Sequence, residues 1–334
     1  MDWVIDLNKN GHKWSVNPPT RIELYPNMCK DSGKWQLEKE KIATNIGEIT
    51  SIWYCTQKHR DFAINNNILS WHDPRCITKN MNFKQDGVRS ITIDKMLNIN
   101  RQSTILIEPS FILTNIFDWK TPANEIFVDF ETIADIFSPF DNLPIQSNSN
   151  IIFLIGIYYK NYINNCFEYI KFVAHDNTYN EEYKIMTSFV SFFKEKNPKM
   201  WYWYAEDSIW KNAVNRQYNL ALKNNDKTKL ENIKNWQNLN WNDMYKIFIT
   251  ANIVIKDCFS FGLKAISNAM KKHNMINTQC QSLCKNGSCA SLEAFNIYNN
   301  KKDIELLSDI ILYNKYDVQV LHDILEYLRD NHTK

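Results

Sequence analysis

Hydrophobic and polar positions are most regular from Asn124 onward. "EIFVDFE" alternates like a strand, and an irregular loop containing Pro139 and Pro144 follows it. "NIIFLIGIYYK" and "NCFEYIKFVAH" read as two further strands, separated by the turn-like "NYIN". "NEEYKIMTSFVSFFKEKNP" carries apolar residues at helical spacing and stops at Pro198. "KMWYWYA" reads as a fourth strand and leads into the helix "EDSIWKNAVNRQYNLALKN". After a polar linker comes a short fifth segment, "NLNWNDMYKIFI". "FGLKAISNAMKKH" and "DIELLSDIILYNKYDVQVLHDILEYLRDN" close the chain as helices.

Three strands on short connections form an antiparallel meander, and a helical crossover adds the fourth strand in parallel. The expected class is therefore α/β, with a mixed sheet flanked by helices. Residues 1–118 are less regular. "KWQLEKEKIATNIGEITSIWYCTQKHRDFAINNNILSWHDP" suggests two or three short helices, with turns at Gly47 and at Asn65 to Asn67. This part reads as a smaller, mainly helical accessory domain, and residues 119–334 as the main domain.

Composition narrows the class without naming a function. The 334 residues are 44% hydrophobic and 23% charged, as in a soluble globular protein. Net charge is only +2, with 15 Lys+Arg against 13 Asp+Glu in residues 1–118 and 24 against 24 in the remainder. Neither part is basic enough to announce nucleic acid by charge, although metal-binding acids can mask a basic groove. The longest apolar runs are too short to span a bilayer and no signal peptide is evident. The expected address is cytoplasmic or nuclear, or a viral equivalent, with no membrane partner. In that setting the eight cysteines are expected to be reduced. The one cluster, Cys280, Cys284 and Cys289, reads as a cysteine-rich loop; zinc held with a fourth ligand such as His273 is the minor alternative.

The chemistry begins where "EIFVDFE" ends. Asp129 and Glu131 are two apart on a strand and share a face, so each raises the other's pKa unless a cation lies between them. They are either a metal site or an exposed pair at a strand-to-loop junction. On the last helix, "YNKYDV" stacks Tyr313 and Asp317 four residues apart, on a helix whose neighbouring Ile310, Val320, Leu321 and Ile324 give it a buried side. Glu206 and Asp207 follow the aromatic fourth strand and open a helix, where acids also complement the macrodipole. Asp243 reads as a capping or turn residue.

Together, acid-x-acid on the first strand, an acid after the fourth and Tyr-x-x-x-Asp on the last helix resemble the DEDD superfamily of 3′–5′ exonucleases. The spacing of Tyr313 to Asp317 points to the tyrosine-bearing DEDDy branch; the histidine variant needs His where this chain has Leu312. The resemblance covers roughly residues 119–334. "WYWYAEDSIWKNAV", "CFSFGLKAISNAM" and "YNKYDVQVLHDIL" are most similar to RNase H-like nuclease domains associated with RecB-family nucleases. It implies an RNase H-like fold and hydrolysis of DNA or RNA phosphodiesters with two Mg²⁺ or Mn²⁺ ions. The ligands would be Asp129, Glu131, Glu206 and Asp317, with Asp207 the second choice for the third position, and Tyr313 would orient the attacking water. A single strand or 3′ end is the implied substrate. A structure-specific endonuclease and an inactive nucleic-acid-binding relative on the same fold are the alternatives. No RecB-type module is evident in residues 1–118.

Overall fold

A computed structural model describes residues 2–101, 104–133, 150–193, 197–284, 286–300 and 307–333. In chain order the described elements are α1 (Asp2–Asn10), α2 (Gln36–Ile46), α3 (Gln57–Asn65), α4 (Val88–Arg101), β1 (Ile107–Glu108), β2 (Glu125–Ile133), β3 (Ile151–Asn161), β4 (Cys166–Val173) and α5 (Tyr179–Phe193). They continue with β5 (Lys199–Tyr202), α6 (Glu206–Lys223), α7 (Lys227–Lys234), β6 (Asn240–Asp243), α8 (Met244–Ala251), β7 (Val254–Ile255), α9 (Leu263–Lys272), α10 (Gly287–Asn299) and α11 (Ser308–His332). The loop with Pro139 and Pro144, and the expected helix start at Asp303, lie outside the described residues.

The chain is α/β and divides into two compact units, Met1–Ser110 with Phe248–His273, and Phe111–Ile247 with Asn274–Lys334. A single boundary near residue 118 does not describe this division, because the first unit takes in a distant segment. The cause is local pairing. β1 and β7 form a two-stranded antiparallel ribbon, Ile107 opposite Ile255 and Glu108 opposite Val254. α4 adds hydrogen bonds, with Thr92 Oγ1 donating to Asn252 Oδ1 at 2.6 Å and Asn100 Oδ1 accepting from the Asp257 amide at 2.7 Å. The helix "FGLKAISNAMKKH", present as α9, therefore belongs to the first unit. Within that unit α2 stops at Gly47, whose φ of 64° is the left-handed cap that glycine adopts without strain.

The second unit carries a mixed five-stranded sheet in the order β4-β3-β2-β5-β6. β2 runs antiparallel to β3 and β3 to β4; only the second pairing is required by a short connection, the four residues between Asn161 and Cys166. β5 lies parallel to β2, and β6 parallel to β5. Ile126, Val128 and Phe130 of β2 enter the hydrophobic core with Phe189 of α5 and Trp210 of α6. Phe127, on the opposite face, meets His322 of α11 edge to face. The polar stretch after α6 is not a simple linker but contains α7. Asp226 caps that helix by accepting from the Lys229 amide at 3.0 Å, and Ile233 is buried beside Trp236. Two apolar residues in eight are too few for helical periodicity to show in sequence. Among the described residues no helix is long and apolar enough to cross a membrane.

Candidate metal centre

The period of two in β2 turns Phe127, Asp129 and Glu131 toward α11 while the residues between them fill the core on the other side. A register shift between Glu131 and Thr132 interrupts the regular pairing, since Glu131 faces Leu154 and Thr132 faces Ile152. Such bulges re-aim side chains at the ends of strands. α11 presents Tyr313, Asn314 and Asp317 on its buried side.

Ligand atoms of Asp129, Glu131 and Asp317 all lie within 4.8 Å of one another. Glu131 and Asp317 are buried and Asp129 is half-buried. Burial, then the charges of Glu131, Asp317 and Glu206, push the Asp129 carboxyl well above its ordinary range, while the hydrogen bond from Asn314 acts the other way. Three oxygen donors from two elements, crowded to the point of resisting ionisation, suit a hard divalent cation.

Glu206 stands outside that group of three but within electrostatic reach of it. It is buried as the first residue of α6, and burial pushes its carboxyl up to about 8. Hydrogen bonds from its own amide and that of Ala205 pull it down, and Asp243 and Asp317 push it up. Asp207 behaves differently. Burial raises it, but the bonds to Lys211, Tyr202 and Ser208 prevail and hold it below the ordinary range. Its Oδ2 accepts from Lys211 Nζ at 3.1 Å, a surface pair one helical turn apart. One residue along a helix is about 100° of rotation, enough to turn Glu206 inward and Asp207 outward.

Tyr313 is buried, with its hydroxyl hydrogen-bonded to Asp317. Burial and the charges of Asp317, Asp129 and Glu131 raise its phenol far above the ordinary value, so it remains an O–H donor. Asp243 does cap a turn, as its Oδ1 accepts from the amides of Tyr204 and Tyr245, each at 3.0 Å. It is also buried close enough to Glu206 to bear on its ionisation. Of the aromatic run, Trp201 and Tyr202 are buried in the sheet. Tyr204, 64% exposed, is held at a φ of +78° two residues before Glu206. A bulky residue in that region is strained and marks a specialised turn.

The cysteine cluster does not assemble. Among the described residues, Cys284 groups with Glu293 and Asp309, not with Cys280 or Cys289, which are both exposed. Asp309 already accepts from the amides of Leu283 and Cys284 and from the Ser282 hydroxyl. His273 Nε2 lies 2.9 Å from Asp257 Oδ2 instead.

Three residues that motif spacing does not reveal complete the centre. Asn314, fully buried, donates through Nδ2 to the Asp129 carbonyl at 3.1 Å and to Asp129 Oδ2 at 2.7 Å. Tyr169 of β4 donates its hydroxyl to Asn314 Oδ1 at 2.9 Å. Gly156 of β3 lies opposite Asp129 in the sheet. The signal for the last was a lone glycine inside the apolar run "IIFLIGIYY", where it marks close approach of another chain segment. Comparison with protein-family models, with curated proteins and with solved structures finds no match.

Proposed function

We propose that the chain is a metal-dependent nuclease of the DEDDy type on an RNase H-like fold, acting as a 3′–5′ exonuclease on DNA or RNA. The observation that carries this reading is the meeting of Asp129, Glu131 and Asp317, from a strand end and a helix far apart in sequence, with Tyr313 on the same helical face. The strand order, with an antiparallel meander on one side of β2 and parallel strands on the other, supports the fold assignment. Asp129, Glu131, Glu206 and Asp317 would hold two Mg²⁺ or Mn²⁺ ions. When bound, such ions supply Lewis acidity toward a phosphoryl oxygen and toward the attacking water.

The chain's own groups do the rest. The carboxylates gather negative charge that a bare phosphodiester would be repelled by, so substrate entry depends on the cations. The Tyr313 hydroxyl, held protonated and hydrogen-bonded to Asp317, would orient the attacking water through its oxygen and does not act as a base. Exposed Tyr204, beside Glu206, offers a ring face on which an unpaired base stacks.

The test is hydrolysis of 5′-labelled DNA and RNA strands in Mn²⁺, with free or chemically blocked 3′ ends. Stepwise shortening that the block abolishes is the expected result. Internal cuts on blocked strands would replace the exonuclease by an endonuclease. Retention of the strands without cleavage, at any Mn²⁺ concentration, would leave a binding protein and sink the catalytic reading.

A further inference from the structure

One side-chain amide is gripped from three strands and a helix at the heart of the acid cluster. We propose that Asn314 is the residue that positions Asp129 for metal, with Tyr169 and Gly156 as its supports. The proposal rests on the metal-dependent reading above.

The hydrogen bonds set the direction of the amide. Both bonds to Asp129 end on acceptors, a carbonyl and a carboxylate oxygen, so Nδ2 must face β2. The opposite orientation would set Oδ1 against the carboxylate. Tyr169 agrees with the choice from the other side, its hydroxyl donating to Oδ1 at 2.9 Å with the Ile311 carbonyl as a second acceptor at 3.5 Å. Burial, with the charges of Asp129 and Glu131, raises that phenol beyond the ordinary range, which keeps it a donor. The chain Tyr169 to Asn314 to Asp129 therefore runs in one sense and ties the Asp129 carboxylate to its own backbone carbonyl. The side chain is left a single orientation.

Gly156 makes the arrangement possible. A Cβ there would stand 1.6 Å from Asn314 Oδ1 and 2.7 Å from its Cγ, so the amide would have to leave its place. The glycine sits in the sheet opposite Asp129, so the space it opens lies where the amide must pass.

The chemistry of the donor matters as much as its place. A lysine or arginine at 314 would also hold Asp129, but would cancel part of the charge that attracts a cation. A neutral amide fixes the carboxylate and leaves the negative field intact. Partners that orient a ligand in this way govern affinity without touching the metal.

Titration of Mn²⁺ into metal-free protein by calorimetry, beside thermal unfolding in chelator, tests this. Asn314→Ala should weaken Mn²⁺ binding by roughly 10-fold to 100-fold, the span seen when such partners are removed. Tyr169→Phe, which keeps the ring and its packing, should weaken it less but in the same direction, with unfolding in chelator nearly unchanged. Gly156→Ala should reproduce the Asn314→Ala loss. If Asn314→Ala does not fold, Tyr169→Phe decides alone. Wild-type affinity in a folded Asn314→Ala, or in Tyr169→Phe where that variant decides alone, overturns the positioning role while leaving the metal site standing. A wild-type protein that takes up no Mn²⁺ overturns both.

Discussion

Glu125 and Glu131 lie on one strand, point to one face and meet one helix, yet their electrostatic surroundings are opposite. At the start of β2, Glu125 accepts from Arg329 Nη1 at 2.6 Å and Nη2 at 2.9 Å, and from Trp201 Nε1 at 2.8 Å. Three residues before the end of α11, the Arg329 guanidinium also donates to the Trp119 carbonyl at 2.8 Å. At the other end of the strand, Glu131 shares its space with Asp129 and Asp317. Glu182 of α5 repeats the first pattern, since Arg216, Gln217 and the Ile152 amide all donate to it. The acids packed against this sheet thus include two contrasting kinds. Those given a guanidinium close the structure. Those given other acids weaken it unless a cation is supplied.

The sharpest way to break the comparison is to neutralise the acid-rich end. Asp129→Asn keeps the acceptor for Asn314 and removes one charge. Hydrolysis of a 5′-labelled strand should fall below detection, while the melting temperature in chelator rises. Full activity at matched Mn²⁺ would make the acid-rich end as structural as the other.

Glu206 and Asp207 divide the same question between neighbours. Glu206→Ala should lose cleavage by orders of magnitude, and its rate should saturate at higher Mn²⁺. Asp207→Ala should lose a surface pair with Lys211, of about 0–1 kcal/mol, and the bonds to Tyr202 and Ser208, and keep its rate. Equal losses in both, or none in either, would remove Glu206 from the site.

Tyr313→Phe deletes one hydroxyl and no charge. Single-turnover cleavage should slow by roughly 10²-fold to 10⁴-fold, with Mn²⁺ affinity by calorimetry almost unchanged. An unchanged rate would reduce Tyr313 to a core residue.

At the compensated end the expected outcome is reversed. Arg329→Leu strands Glu125 in the interior and should cost roughly 3–5 kcal/mol in chemical denaturation. Metal affinity of the folded fraction should hold. A mild change in stability would show that Glu125 is better solvated than its contacts indicate.

The last effect is a slope with pH. Glu206 is raised from 4.5 to about 8, and Asp129 is raised too, so the folded protein binds their protons more tightly than the unfolded chain. Stability from these groups is fully present below the ordinary carboxylate range and is lost as pH rises through about 8. In chelator, unfolding free energy should decline between pH 5 and pH 8; saturating Mn²⁺ should flatten the decline, and Asp129→Asn should make it shallower. A rise over that interval in chelator would contradict the raised carboxyls.

Much of this was readable along the chain. Alternation in "EIFVDFE" and "IIFLIGIYYK" and helical spacing in "YNKYDVQVLHDIL" are properties of consecutive residues, so period and polarity were enough to place β2, β3 and α11. The four-residue connection between β3 and β4 dictated their antiparallel pairing for the same local reason, whereas the longer segment between β2 and β3 left theirs open. Proximity of Asp129 to Asp317 was not local. It follows from α11 crossing the sheet at Gly156, where the absence of a Cβ admits Asn314. Nor did adjacency in sequence separate Glu206 from Asp207; the rotation of α6 against the sheet set one inside and one outside. The pairing of β1 with β7, which joins residues 107 and 255 in the first unit, was equally invisible, because two-residue strands carry no period. Patterns of neighbours settle what each segment is. Which charges and amides meet depends on the packing of segments far apart in the chain, and it is there that the acid-rich end of β2 acquires its chemistry.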